Sequence, residues 1–149
     1  MDDDRALVVV SAAQLATGAG GLALAVRRGH AFDIPFWRGQ PSAVGRDALL
    51  MGTALSAPAV MLGAQAGAIT ALLRGPSPAA RRVLGGLGAA MVAGYLAERL
   101  VRHRLVPSGW DMAESPVIVA GISLAAAMAL IGLRPARGRA EAGGGEPPA

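Results

Sequence analysis

The residues able to do chemistry in this chain crowd into two short stretches. "RRGHAFDIPFWRG", residues 27–39, carries His30, Asp33, Trp37 and Arg38. "GYLAERLVRHRLVPSGWDMAESP", residues 94–116, carries Glu98, Arg102, His103, Trp110, Asp111 and Glu114. Two imidazoles among carboxylates are the raw material of a metal centre. Neither "HAFD" nor "WDMAE" has a ligand spacing, however, so solvated loop residues are the expectation, with no metal and no cofactor. Haem held between His30 and His103 is disfavoured for a related reason: both histidines fall in loops rather than on helices.

Glu98 is the most suspect single residue. Its spacing puts it on the helical row of Gly86, Ala90 and Gly94, with Arg102 one turn further on. Acid and base four residues apart on a helix can pair. An acid on a packed face near a membrane interface needs such a partner, because an unpaired charge there costs several kcal/mol. The expected role is an interfacial ion pair ending a helix, and the alternative is a proton or substrate site. Glu98, Arg102, His103, His30, Asp33 and Asp111 together form the candidate polar cluster.

Composition removes several other chemistries. Cysteine is absent, which excludes disulfides, thiolate metal sites and thiol nucleophiles. All fourteen basic residues are arginine, so lysine Schiff bases and a phosphate-loop lysine are excluded as well. The absence of both Lys and Asn, whose codons are AT-rich, predicts a GC-rich bacterial genome. Despite a pI near 11.2, the arginines form no basic stripe, and nucleic acid is not an expected partner. They flank apolar runs instead, as residues do that reach toward lipid headgroups. "GAGG" at 18–21 follows no strand and sits inside an apolar run, so it is no nucleotide loop.

Those runs must position the polar stretches. Charge-free segments cover Ala6–Val26, Ala48–Leu73, Val83–Ala97 and Ser115–Leu133. About 20 residues of helix cross a bilayer's hydrocarbon core. An all-α, integral membrane bundle of four transmembrane helices is therefore expected within residues 1–134, with helices at about 6–26, 48–73, 83–101 and 115–133. Pro58 supplies a kink in the second. The tail from 135 to 149 has little to bury and is expected to be disordered. "MDDDR" lacks the positive start of a signal peptide, so the first helix is expected to be retained.

Within the bundle, Gln14 and Gln65 lie at matching depths on antiparallel neighbours and are expected to bond across them. Small residues recur every fourth position, as in Ala12–Ala16–Gly20, Ala59–Gly63–Gly67, Gly86–Ala90–Gly94 and Gly121–Ala125–Ala129. Such rows allow close helix approach in lipid, within the chain, in a homo-oligomer or in a larger membrane complex. Trp37 and Trp110 are expected to anchor the loops at headgroup depth. An even helix count puts both termini on one side. Arginines are tied at seven a side, and the short basic turn at 74–82 and the basic tail favour a cytoplasmic placement of the termini.

Functionally, the pattern points to a small multi-pass membrane protein acting as a non-catalytic accessory or interaction subunit, with the lipid bilayer as its first partner. The alternative is a small transporter or membrane enzyme whose polar site lies on the face carrying the first and third loops.

Overall fold

The computed structural model describes residues 2–29, 31–34, 37–38, 52–53 and 55–135. The chain is all-α. Among the described residues, four long helices run up, down, up and down: α1 (Asp2–Arg28), α2 (Ala59–Arg74), α3 (Pro78–Ala97) and α5 (Glu114–Gly132). A short helix, α4 (Arg99–Arg104), and a 3₁₀ turn at Pro107–Gly109 connect the last two. After α1, a two-residue strand β1 (Asp33–Ile34) pairs antiparallel with β2 (Trp37–Arg38), Asp33 opposite Arg38 and Ile34 opposite Trp37.

α5 is the central element, packed most extensively on α3 and on α1, while α2 bridges α1 and α3 from the far side. Leu7, Leu84, Met91, Ile118, Ala125 and Met128 fill the space between them. The α3–α5 seam depends on small residues. A Cβ on Gly88 would come within 2.6 Å of the Ala125 carbonyl oxygen, and one on Gly132 within 2.7 Å of Gly85 Cα. Here the Gly121–Ala125–Ala129 row does pack inward, with Gly121 against the Tyr95 ring end. The other three rows do not. Ala12, Ala16, Gly20, Gly63, Gly67, Gly86, Ala90 and Gly94 are exposed, so α3 buries the adjacent row of Leu84, Gly88, Met91 and Tyr95 instead. The face assigned to Glu98 by helical spacing is thus an outward one.

The boundaries of α2 and α3 differ from expectation. Among the described residues of the run at 48–73, helix begins at Ala59, directly after Pro58, which can stand before a first turn but not inside a helix. Residues 52–53 and 55–58 pack as an irregular segment against α1, where a Cβ on Gly21 would meet the Leu55 carbonyl oxygen at 2.3 Å. Gly52 takes a φ of 82°, a left-handed turn that a side chain would strain. Residues 48–51 and the tail from 136 lie outside the described residues.

α3 begins earlier than its apolar run. Ser77 caps it, its Oγ accepting the Ala80 N–H at 3.2 Å, and Pro78 sits in the first turn where no N–H is needed. At its other end the expected continuation to 101 is broken at Glu98, whose φ and ψ of −73° and 126° are extended.

At one end of the bundle Arg81 donates to the Asp4 carboxylate and to the Ile131 carbonyl at 3.0 Å. That contact gathers the start of α1, the start of α3 and the end of α5, so both outer helices begin and finish as antiparallel arms of one end. Among the described residues, two helices are long and apolar enough to cross a membrane: Asp3–Arg28 and Glu114–Gly132. α2 is apolar but shorter, and α3 carries Arg81 and Arg82 in its first turns.

Candidate functional site

The opposite end of the bundle collects the polar residues, and the break at Glu98 explains how. Ending α3 at Ala97 frees the last carbonyls of that helix. Arg102 turns back to take two of them, its Nη1 donating to the Leu96 oxygen at 2.7 Å and the Ala97 oxygen at 2.6 Å. Glu98 closes α3 with its N–H, which donates to the Gly94 and Tyr95 carbonyls, and opens α4 with its C=O, which accepts the Arg102 N–H. Its carboxylate leaves the helix row altogether. Oε1 accepts the backbone N–H of Asp33, at the start of β1, at 2.5 Å.

The expected Glu98–Arg102 bridge is therefore replaced by two separate tasks: Arg102 caps carbonyls and Glu98 fastens the β1 segment. Glu98 is only 5% exposed. Burial pushes its carboxyl above the ordinary range, the Asp33 N–H draws it back, the Asp33 charge raises it, and Arg102 acts last and through space. Arg99, on the next residue, lies 3.9 Å from the Asp33 carboxylate.

A second constellation stands beside it. Glu114, the first residue of α5, is fully buried. Its Oε1 accepts Arg28 Nη1 at 2.6 Å and its Oε2 accepts Arg104 Nε at 2.7 Å. Arg28 also reaches Asp111 Oδ2 at 3.2 Å, and Arg104 Nη1 donates to the Gly109 carbonyl at 3.0 Å. Asp111 Oδ1 accepts the N–H groups of Ala113 and Glu114 at 2.9 and 2.8 Å, so it caps the start of α5. These N–H bonds, with Arg28 assisting, lower its carboxyl from the ordinary 3.8 to about 2. Ser115 completes the knot: its Oγ accepts the Asp111 N–H and donates to the Arg104 carbonyl, both at 3.0 Å.

Of the candidate cluster, Glu98 and Asp33 meet directly, and Asp111 joins Arg28 and Glu114. His103 is exposed and packed on the 3₁₀ turn, where a Cβ on Gly109 would come within 2.7 Å of its Nδ1. His30 lies outside the described residues, as does the side chain of Trp37. Trp110 is 51% exposed on the same end. Among the described residues, no group of three or more acidic, histidine or cysteine side chains is placed to hold a metal ion.

Sequence spacing missed Arg28, Arg104 and Tyr95. The arginines read as ordinary helix flanks, and the pairing of residue 28 with residue 114 has no local signal. Tyr95 is buried, its hydroxyl against Gly121 and without a hydrogen-bond partner among the described residues.

The chain matches no protein family, no characterised protein and no solved structure at a significant level.

The amides inside the bundle behave differently from expectation. Gln14 and Gln65 are both fully buried, but Gln65 Nε2 donates to the Ser11 carbonyl at 2.7 Å rather than to Gln14. Both polar atoms of the Gln14 amide lack partners among the described residues.

A cavity of about 130 Å³, finally, lies against α2 and α3. Phe32, Met61, Met91 and Tyr95 contribute to its lining, and Thr53, Ser56 and Glu98 are its polar members.

Proposed function

We propose that this chain is a four-span integral membrane protein serving as a non-catalytic accessory or interaction subunit. The observation that carries the membrane assignment is the layering of charge. Asp4 and Arg81 form one ionic layer, while Arg28, Asp111, Glu114 and Arg104 form another. From Asp4 to Arg28 is 24 residues of uninterrupted helix, about 36 Å at 1.5 Å per residue. A hydrocarbon core of about 30 Å fits between those layers. The surface there is apolar and outward-facing: Val9, Val60, Val119 and Leu130 are 67, 56, 41 and 66% exposed.

α2 is short for a crossing, at 16 residues. The segments at 52–53 and 55–58 extend its path, with Thr53 and Ser56 exchanging backbone hydrogen bonds. Irregular backbone at membrane depth is tolerated where protein covers it and its polar groups are satisfied. Arg82 and Arg74 would snorkel toward the headgroups on the end bearing Asp4 and Arg81, which we propose faces the cytoplasm.

The accessory role is supported by what the ionisable groups do. Glu114, Arg28, Arg104 and Asp111 bind each other and the backbone, as structural groups do. The outward rows Ala12–Ala16–Gly20, Gly63–Gly67 and Gly86–Ala90–Gly94 leave three faces suited to close approach by another helix, from a second copy or a larger complex. One observation favours the second reading, a small transporter or membrane enzyme: the cavity that Glu98 helps to line.

The absence of native cysteine gives a direct test. Single cysteines at Val119 and Leu130 should resist a membrane-impermeant maleimide in vesicles, whereas one at Ser108 should react from one side only. Reaction at all three sites in intact vesicles, or a chain that remains soluble without detergent, would overturn the assignment. Crosslinking in mild detergent then asks whether the protein travels with a partner.

A further inference from the structure

The cavity beside α2 and α3 pairs a mostly apolar lining with a buried carboxylate, Glu98, that forms no ion pair among the described residues. Glu98 Oε1 takes one hydrogen bond, from the Asp33 N–H. The two nearest arginines in sequence are committed elsewhere, Arg102 to the Leu96 and Ala97 carbonyls and Arg99 toward Asp33. Among the described residues, no ion pair reaches Glu98, although Glu114, its counterpart in the neighbouring knot, has two. A carboxylate 5% exposed is expensive to leave charged without a partner, by several kcal/mol. Glu114 is thus satisfied within the fold, whereas Glu98 lines a cavity.

The rest of the lining narrows what would fill that space. Phe32 and Tyr95 supply aromatic carbon, and Met61 and Met91 supply polarisable thioethers. Rings attract cations, and thioethers adapt to the shape of an apolar body. A cavity of about 130 Å³ is close to the ~150 Å³ that admits a benzene-sized molecule. Neutral apolar molecules would satisfy the walls but leave the carboxylate alone. Anions would be repelled by it. Thr53 and Ser56 add polar atoms to the lining, but an inorganic cation would leave Met61, Met91 and the aliphatic walls with no apolar body against them.

We propose that the cavity beside α2 and α3 binds a small organic ammonium ion, one ring or a short branched alkyl group in size, with Glu98 as its counter-ion. The apolar body lies among Phe32, Met61, Met91 and Tyr95, and the ammonium donates to the carboxylate. Burial raises the carboxyl of Glu98, and a cation bonded to it would act in the opposite direction. This inference names a ligand class for the second reading above. It does not depend on lipid around the helices, because the cavity is formed by the fold itself.

Isothermal titration of the purified full-length chain, in whichever of buffer or detergent micelles holds it monodisperse, tests the proposal. Benzylammonium chloride is the probe and benzyl alcohol its neutral counterpart, each corrected with protein-free solvent. Benzylammonium should bind saturably and at least tenfold more tightly than the alcohol. Glu98→Gln should weaken the ammonium at least tenfold and leave the alcohol unchanged. Ala90 is exposed and lines the cavity, so Ala90→Phe should fill it and abolish both, with Glu98 intact. Equal affinity for the two probes, no saturable binding, or an Ala90→Phe variant that binds normally would each overturn the proposal. Should Glu98→Gln fail to fold, the probe pair and Ala90→Phe still decide. A chain that proves soluble would refute the membrane assignment and leave this titration standing.

Discussion

Arg28 Nη1 and Glu114 Oε1 lie 2.6 Å apart, although 86 residues separate them in the chain. The pair joins the last turn of α1 to the first turn of α5, and Arg104 draws α4 to the other oxygen of the same carboxylate. Glu114 is fully buried while the Arg28 side chain is 37% exposed. Replacing the acid removes both ion pairs at once, whereas replacing Arg104 leaves the buried carboxylate with Arg28 still bonded to it. Breaking a buried pair so that a charge is left uncompensated costs about 3–5 kcal/mol. Arg104→Ala should fall below that range, at about 2 kcal/mol, because Arg28 still compensates Glu114. Denaturant melts of the variant measure the loss; a loss in the full range would show that Arg28 alone does not satisfy the carboxylate.

Asp111 gives the fold a dependence on acid. Its carboxyl is lowered to about 2 by the N–H groups of Glu114 and Ala113. A depressed carboxyl contributes stability that is fully present above its unfolded value and is lost as pH falls toward its folded one. Its contribution should thus be constant above about pH 5 and decline between about pH 4 and pH 2. Asp111→Asn should remove this part of the acid transition while keeping much of the helix cap. Thermal melts from pH 7 to pH 2 check the difference between the two proteins.

How much of this could be read from the residues alone differs from element to element. α1 and α5 were legible because each coincides with a charge-free run whose ends are marked by charge. α3 was half legible: its apolar part is plain, but Arg81 and Arg82 belong to it because one of them pairs with Asp4, a contact made 77 residues away. For Glu98 the spacing names a different neighbour from the one the fold supplies. Its i,i+4 spacing to Arg102 describes a continuous helix, and nothing local announces that Glu98 itself adopts extended backbone to reach Asp33. Small-residue rows likewise showed where helices can approach closely, without showing whether the approaching helix lies inside this chain.

Glycines on α3 separate inward from outward faces sharply. A Cβ at Gly88 would meet the Ala125 oxygen at 2.6 Å and the Ala129 nitrogen at 2.7 Å, both backbone atoms that cannot step aside. Gly88→Ala should force α3 off α5 and cost about 1–3 kcal/mol. At Gly86 a Cβ meets nothing within 4 Å, and Gly86→Ala should instead add up to about 1 kcal/mol through helix propensity. If that outward face docks another helix, Gly86→Ala would raise stability while reducing crosslinked oligomer. Melting and crosslinking on one pair of variants therefore read the two faces independently.

The buried amides should respond in opposite directions to the same change. Gln65 ties α2 to α1 through the Ser11 carbonyl at 2.7 Å and approaches Met128 Sδ at 3.7 Å. Gln65→Leu removes that tie, at about 0.6–1.7 kcal/mol for an interhelical hydrogen bond in lipid. Gln14 sits equally deep, with neither amide atom partnered among the described residues. An unsatisfied buried amide costs about 1–3 kcal/mol, so Gln14→Leu, close in volume, should stabilise the bundle by about 1 kcal/mol. The comparison is made on the two single variants and the double variant in one denaturant series. A loss at Gln14 equal to that at Gln65, with strong coupling in the double variant, would mean that the two amides bond to each other after all.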